Sequence, residues 1–189
     1  MIKLKDLLEL NKMVFSNEIM EKHQKQMSRK NEILPNEVSI AETPPHDNGS
    51  RETLRELHWL LEYNDGVIDN DMIKEGDEVI DVFEKYCDDN GLDFDRKYYK
   101  QILKESRKPI LKLKYHYNRP RPYQLAKFYN IEDFKIHELD SAKTPSYPSG
   151  HSIQGYMMGC ILGHKYPRHY QNFMNLGAFV SESRLMARA

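Results

Sequence analysis

Apolar residues recur along this chain at spacings of three and four, which is the pattern of amphipathic helices. In "RETLRELHWLLEY", for example, Leu54, Leu57 and Leu61 form a stripe on one helical face. Strand-like alternation of apolar and polar residues is not found over any comparable length. The sequence therefore predicts an all-α fold, a helical bundle that forms a single domain over residues 1–189.

Capping and turn residues set the predicted ends of the helices. Ser50 and Ser149 are suitable N-caps. Pro109 lacks the N–H group that a helix interior uses, so a kink or a restart is predicted there. The Pro, Asn and Gly content of residues 32–49 predicts a long connecting loop. The predicted helices cover residues 4–28, 50–63, 69–87, 94–107, 109–117, 150–164 and 168–189.

Composition and charge exclude several classes of function. The 28 Lys and Arg residues against 29 Asp and Glu residues leave a net charge of -1, which does not favour nucleic acid or an anionic membrane surface as partner. No apolar run free of Pro and Gly is long enough to predict a membrane span. Two cysteines and the absence of a secretory signal favour a reducing compartment. We therefore expect a cytoplasmic protein without a nucleic-acid partner, in which any basic site is local.

The first stretch with candidate chemistry is "SYPSGHS", residues 146–152, whose only titratable side chains are a tyrosine and a histidine. Pro148 disfavours helix at the residue before it, Ser149 can cap the helix that follows, and His151 falls in its first turn. The N–H groups at a helix start can bind an anion. Acids are absent from this stretch, where a carboxylate would repel a bound anion.

Glycines at positions 155, 159 and 163 repeat every fourth residue of the same helix and continue the row of His151. Each interior glycine costs about 1 kcal/mol relative to alanine. Close packing against another helix would compensate for this cost and would fix the position of His151. The alternative is a capped core helix that carries a surface histidine.

The second stretch, "KPILKLKYHYNRPRPYQLAK", pairs a lysine with an arginine in two frames, Lys112 with Arg119 and Lys114 with Arg121. At 100° per residue, Lys114 lies about 40° from Ile110 and Lys112 about 200° from it, so Lys114 points inward. Arg121 lies between two prolines that restrict its backbone. These features predict an oxyanion clamp, and a solvated basic loop is the alternative.

The third stretch is "FMNLGAFVSESRLMARA" at the end of the chain. Phe173, Gly177, Val180 and Arg184 share one helical face, which places a cation on an apolar surface. A buried cation needs a partner. The partner is either an internal carboxylate or an anionic ligand shared with the two cations of the second stretch.

Taken in order, these residues resemble the motifs of the type 2 phosphatidic acid phosphatase superfamily, which includes soluble bacterial class A acid phosphatases and vanadium haloperoxidases. Lys-x6-Arg-Pro is matched at Lys114, Arg121 and Pro122, and Pro-Ser-Gly-His is matched at residues 148–151. Tyr123 stands where the soluble phosphatases usually carry an aromatic residue, so the resemblance is closest to them.

The third motif of the family, Ser-Arg-x5-His-x3-Asp, begins at Ser183 and Arg184, and its histidine would fall at position 190. In the family that histidine is the nucleophile. We therefore expect a truncated form of a longer enzyme, with the core motifs at residues 109–189, that is impaired or inactive and that self-associates into homo-oligomers. The alternative is a catalytically inactive relative that binds anions or nucleic acid.

The resemblance implies a phosphatase that hydrolyses soluble phosphomonoesters or diphosphates through a phosphohistidine intermediate. His151 is the implied proton donor to the leaving group. No metal or other cofactor is needed, unless the protein is a vanadium-dependent haloperoxidase, which would hold vanadate in the same place. The implied phosphate ligands are Lys114, Arg121, Ser149, Gly150 and Arg184, of which the three cations also act in catalysis.

Overall fold

The computed structural model describes residues 4–38, 43–132, 134–137, 139 and 142–188. These residues form nine α-helices and no β-strand, so the fold is all-α as the apolar spacing predicts. None of these helices is both long and apolar enough to cross a membrane. The helices are α1 (Leu4–Lys12), α2 (Glu21–Ser28), α3 (Arg51–Glu62), α4 (Asn70–Asp77), α5 (Val79–Asp89), α6 (Arg96–Tyr117), α7 (Pro122–Phe128), α8 (Gly150–Lys165) and α9 (Tyr170–Met186).

The predicted loop over residues 32–49 is confirmed in its described part, which contains no helix. Residues 39–42 of this loop lie outside the described residues, as does Ala189 at the end of the predicted last helix. That last helix begins at Tyr170 because residues 167–169 form a separate 3-10 turn. The short helix α7 is not among the predicted elements.

The single helix predicted over residues 4–28 is wrong, since α1 and α2 are separate helices. The segment between them is bound to Asn118, at the end of α6. The Phe15 N–H donates to the backbone oxygen of Asn118 at 2.8 Å, and the Asn118 side-chain amide donates to the Ser16 oxygen at 2.7 Å. Backbone groups that are bound in this way cannot also continue a helix.

The restart that was one of the two alternatives predicted at Pro109 is wrong, because α6 continues through this residue. A proline inside a helix removes one backbone hydrogen bond and costs about 3 kcal/mol. Helix α6 buries Tyr99, Ile102, Ile110 and Leu111 on both sides of the proline. Tertiary packing of this long apolar face therefore outweighs the local cost of Pro109.

The helix predicted over residues 69–87 is divided into α4 and α5 at Glu78, whose φ of -99° and ψ of 68° are not helical. Gly76, just before the break, weakens the helix locally and lies directly against α9. A Cβ atom at Gly76 would lie 2.2 Å from Oγ of Ser183. The break leaves Asp77 at the end of α4, next to α9.

The glycine row of α8 packs against α9, and the predicted close contact of this helix with another is confirmed. A Cβ atom at Gly159 would lie 2.8 Å from the backbone oxygen of Phe173, and one at Gly155 would lie 3.0 Å from Cβ of Val180. Helix α9 offers its own glycine, Gly177, opposite Gly155. The two helix backbones are therefore close together next to the main hydrophobic core.

Buried Glu105 of α6 holds the loop that follows α2. Its carboxylate accepts the backbone N–H groups of Glu32, Ile33 and Leu34 at 2.9, 2.9 and 2.7 Å. Burial raises the pKa of Glu105, but these hydrogen bonds outweigh burial and lower the pKa to about 2. The carboxylate is therefore charged at neutral pH, and its charge-assisted hydrogen bonds fix the loop against α6.

We expect Gly159→Ala to destabilise the fold by about 2 kcal/mol, because the new methyl group must move the backbone of α9, and this cost exceeds the gain of about 1 kcal/mol in helix propensity. Urea unfolding at neutral pH measures this difference. Cys160→Ala, at the exposed neighbouring position of α8, is the control and should change stability little. Equal stability of the two variants would contradict the close contact.

Candidate functional site

The structure brings the predicted phosphate ligands and His151 together in one cavity of about 380 Å³. Lys114 comes from α6, Arg121 from the residue before α7 and Arg184 from α9, while residues 149–151 form the start of α8. Three stretches that are distant in the sequence therefore share one site. The elements that carry them are fixed by the α8–α9 contact and by the long helix α6.

Lys114 is buried, with a relative exposure of 6%, whereas Lys112 is exposed. This confirms the inward direction that helical phase predicts for Lys114. Its Nζ donates to the backbone oxygen of Pro145 at 2.5 Å. Burial, with a smaller effect of nearby Arg121, lowers the pKa of Lys114 to about 7. The ammonium group is therefore poised to change its charge near neutral pH.

Arg121 is buried beside Lys114, and its Nε donates to the backbone oxygen of Thr144 at 2.8 Å. Burial lowers the pKa of Arg121 to about 10; Tyr123 opposes this shift and the positive charge of Arg184 adds to it. The guanidinium remains charged at neutral pH. Lys114 and Arg121 thus both bind carbonyl groups of the loop that leads into α8.

Of the two partners that the sequence left open for Arg184, the structure shows the internal carboxylate. Nη1 of Arg184 lies 2.5 Å from Oδ1 of Asp77, and its Nη2 donates to the backbone oxygen of Ile73 at 3.0 Å. It also lines the cavity with the other two cations. Burial lowers the pKa of Arg184, and the Asp77 carboxylate opposes that shift. An internal carboxylate therefore balances the charge of Arg184 at the wall of the cavity.

A carboxylate that the sequence did not indicate lies beside the "SYPSGHS" stretch. Nε2 of His151 lies 3.2 Å from Oδ1 of Asp77, which is the same oxygen that contacts Arg184. Acids are absent from the stretch itself, but the fold brings one to it from α4. A single carboxylate oxygen therefore links the two predicted catalytic groups of α8 and α9.

Burial lowers the pKa of His151 to about 4, and the positive charge of Arg184 adds to the effect. Asp77 opposes this shift, and Lys114 contributes to it in a smaller measure. The imidazole is therefore neutral at pH 7. An anion placed among these cations would offset their repulsion and raise the pKa of His151.

The start of α8 adds neutral donors to the cavity. Ser149 caps the helix and accepts from the N–H and the hydroxyl of Ser152 at 3.3 and 2.9 Å, which leaves the Ser149 proton able to point into the cavity. Gly150 lies against α6, where a Cβ atom would be 3.7 Å from Cε of Lys114. The positive end of the α8 macrodipole therefore lies next to the lysine.

Asp77 and His23 are among the residues of the cavity that were not predicted. Nδ1 of His23, in α2, lies 2.7 Å from the Tyr115 hydroxyl, and burial lowers its pKa, with additional repulsion from Lys22 and Arg107. The one signal for Asp77 was the need of buried Arg184 for an acid. That need does not identify which of the acidic residues answers it, and no pattern pointed to His23.

The charges of the cavity favour an anion as its ligand. Six of its lining side chains are Lys or Arg and two are Asp or Glu, and one of these acids, Asp77, is paired with Arg184. Across the residues that the structure describes, no group of three or more His, Cys, Asp or Glu side chains is placed to hold a metal ion. Charge, burial and donor geometry together describe a site for a small oxyanion.

Residues 106–189 match the family model described as the PAP2 superfamily. This match supports the resemblance inferred from the motifs, of which the two complete ones and the start of the third lie within it. It does not extend to Asp77 or His23. No curated protein and no solved structure matches the chain.

We expect sulfate, which keeps its charge over this range, to bind about 100-fold more weakly at pH 9 than at pH 6, because Lys114 loses its proton above a pKa of about 7. Burial lowers the pKa values of His23 and His151, which moves their titration away from this range in the anion-free site. Isothermal titration calorimetry at several pH values measures the affinity.

The Lys114→Met variant tests this assignment. It should bind sulfate about 30-fold to 150-fold more weakly at pH 6, the equivalent of a lost charge-assisted hydrogen bond, and should show little change up to pH 9. Lys112→Met, exposed on the same helix, is the control and should behave like the wild type. A wild-type affinity that is constant from pH 7 to pH 9 would exclude Lys114 as a ligand.

We expect Asp77→Asn to destabilise the fold by about 3 kcal/mol, because it leaves the Arg184 charge buried without a carboxylate. Sulfate should stabilise this variant more than the wild type, since the anion replaces the missing negative charge. Urea unfolding with and without sulfate measures both effects. Glu78→Gln, which removes a charge from the neighbouring residue, is the control, and a sulfate effect equal to that in Asp77→Asn would contradict the pairing.

Proposed function

We propose that this protein is a phosphatase of the PAP2 superfamily that hydrolyses small phosphomonoesters or diphosphates, in the manner of class A acid phosphatases. The observation that carries this proposal is the convergence of three buried cations and His151 on one cavity. The family match over residues 106–189 supports it. The substrate is a small phosphorylated molecule, and the proposal requires neither a cofactor nor a nucleic-acid partner.

The phosphoryl group is bound by the three cations and by the start of α8. Lys114 and Arg121 donate to neutral carbonyl oxygens of residues 144 and 145. A phosphoryl oxygen is the stronger acceptor because it is charged, so it can take over these donors. Since the donors are already in position, little reorganisation accompanies the build-up of charge in the transition state.

Proton transfer is assigned to His151. The bound phosphoryl charge raises the pKa of His151 above its value of about 4, so that the imidazole takes up a proton. Asp77 orients the ring from a distance of 3.2 Å. As the bond from phosphorus to the leaving oxygen breaks, His151 gives its proton to that oxygen.

The attacking group in this mechanism is the histidine that the third motif calls for at position 190, which the extended form tested below carries. Its ring nitrogen forms a bond to phosphorus while the leaving group departs, which gives a phosphohistidine. Water then attacks the phosphorus, His151 accepts a proton from this water, and the nitrogen–phosphorus bond breaks. Inorganic phosphate is released and the enzyme returns to its starting state.

Phosphate release from para-nitrophenyl phosphate tests the proposal when the 189-residue chain is compared with a form extended through the His-x3-Asp of the motif. We expect turnover by the extended form and none by the shorter one. His151→Gln in the extended form should lower kcat about 100-fold to 10,000-fold, since it removes the group that protonates the leaving oxygen and that later accepts a proton from the attacking water. Lys114→Met in the extended form should also lower turnover. Lys112→Met, which makes the same change at an exposed position of the same helix, is its control.

Equal turnover by the two forms would refute the assignment of the nucleophile. Halide oxidation that requires added vanadate, without phosphatase activity in its absence, would assign the protein to the haloperoxidases instead. Binding of single-stranded DNA that weakens with salt but persists at saturating phosphate would favour the alternative of a catalytically inactive nucleic-acid-binding protein.

A further inference from the structure

A second cavity, of about 450 Å³, adjoins the cavity that contains Lys114, Arg121 and Arg184. His151 lines both cavities, and so does Arg107. In the proposed function His151 protonates the leaving oxygen, so this oxygen lies where the two cavities meet. The rest of the leaving group then extends into the second cavity. The residues shared by the two linings are Gln26, Asp77, Glu78, Arg107, His151 and Gln154.

The second cavity is basic, and helix α6 provides most of its cations. Lys100, Lys104 and Arg107 lie within about 80° of Lys114 around the helix axis, at 100° per residue. At a rise of 1.5 Å per residue, Arg107 is about 10 Å and Lys104 about 15 Å from Lys114 along the helix. A row of positive charges thus leads out of the phosphoryl site. The five cations of the second lining are Arg29, Lys100, Lys104, Arg107 and Lys108.

The carboxylates of this lining do not neutralise that row. Glu105 is occupied by three backbone N–H groups, and Asp77 contacts Arg184 and His151. Glu78 is the third acid. Within the described ranges of the chain, no carboxylate lies within 4.0 Å of the charged atoms of Lys100, Lys104 or Arg107. The cavity therefore has positive charge that a ligand can balance.

We propose that the second cavity binds an anionic leaving group, so that the substrate carries at least one further phosphate beyond the one that is hydrolysed. This inference rests on the proposed function and narrows its substrate class to diphosphates and bisphosphates. Arg107, at the junction, binds the second phosphate, and Lys104 lies behind it on the same face of α6. A leaving group that is neutral and apolar would leave these cations without a counter-charge.

The test is the affinity of the 189-residue chain for orthophosphate, inorganic pyrophosphate and a hexose bisphosphate, measured by isothermal titration calorimetry. We expect pyrophosphate or the bisphosphate to bind at least about tenfold more tightly than orthophosphate. Tighter binding of pyrophosphate would indicate a second phosphate attached directly to the first. Tighter binding of the bisphosphate would indicate two separated phosphates. Each result is expressed as the ratio of the two dissociation constants.

The double variant Arg107→Ala/Lys104→Ala should reduce this ratio to about threefold or less. Both side chains are exposed, so we expect the variant to fold, which circular dichroism verifies. Lys112→Ala lies on the same helix outside both cavities and should leave the ratio unchanged. A wild-type ratio near one would overturn the inference, as would a high ratio that the double variant keeps.

The same titrations separate this inference from the proposed function. If Lys114→Met leaves orthophosphate binding unchanged, the phosphoryl site itself is wrong and the proposed function fails. If orthophosphate binding depends on Lys114 and a second phosphate adds nothing, only the anionic leaving group is refuted.

Discussion

The burial of three cations around one cavity is the constraint that the surrounding structure has to satisfy. Lys114 and Arg121 obtain carbonyl acceptors from the loop before α8, and Arg184 obtains Asp77. These partners offset part of the cost of removing charges from water. The lowered pKa values of Lys114 and Arg121 show that the offset is incomplete. A tetrahedral oxyanion would supply the missing negative charge. The incompletely balanced positive charge of the cavity therefore favours anion binding.

The close packing of α8 on α9 makes such a site possible. His151 lies on α8 and Arg184 on α9, and the backbones of these helices approach each other at Gly155, Gly159 and Gly177. Because close-packed backbones have little freedom to shift, the imidazole and the guanidinium keep a fixed relation. Asp77 adds a single oxygen that contacts both groups. The site therefore combines a rigid scaffold with an electrostatic balance that a ligand can change.

The correct predictions depend on interactions between residues that are close in the sequence, whereas the wrong ones depend on residues that are distant in it. The helix caps at Ser50 and Ser149 and the inward direction of Lys114 follow from residues a few positions apart, and the structure has them. The continuity of α6 through Pro109 and the break between α1 and α2 depend on distant partners, such as the core that covers α6 and the Asn118 amide. A local pattern contains no information about those partners, so helix boundaries were predicted less well than helix existence.

The same distinction applies to the site. The sequence by itself determined that the chain is helical and that its last third carries an ordered set of cations, a capped helix start and a histidine suited to an oxyanion, because helical period and motif spacing are local properties. Only the tertiary structure decided that Asp77 lies beside His151 and that the cations of α6 border a second cavity next to the first. These juxtapositions arise from the packing of α4 and α6 against α8 and α9, and packing depends on the whole chain at once.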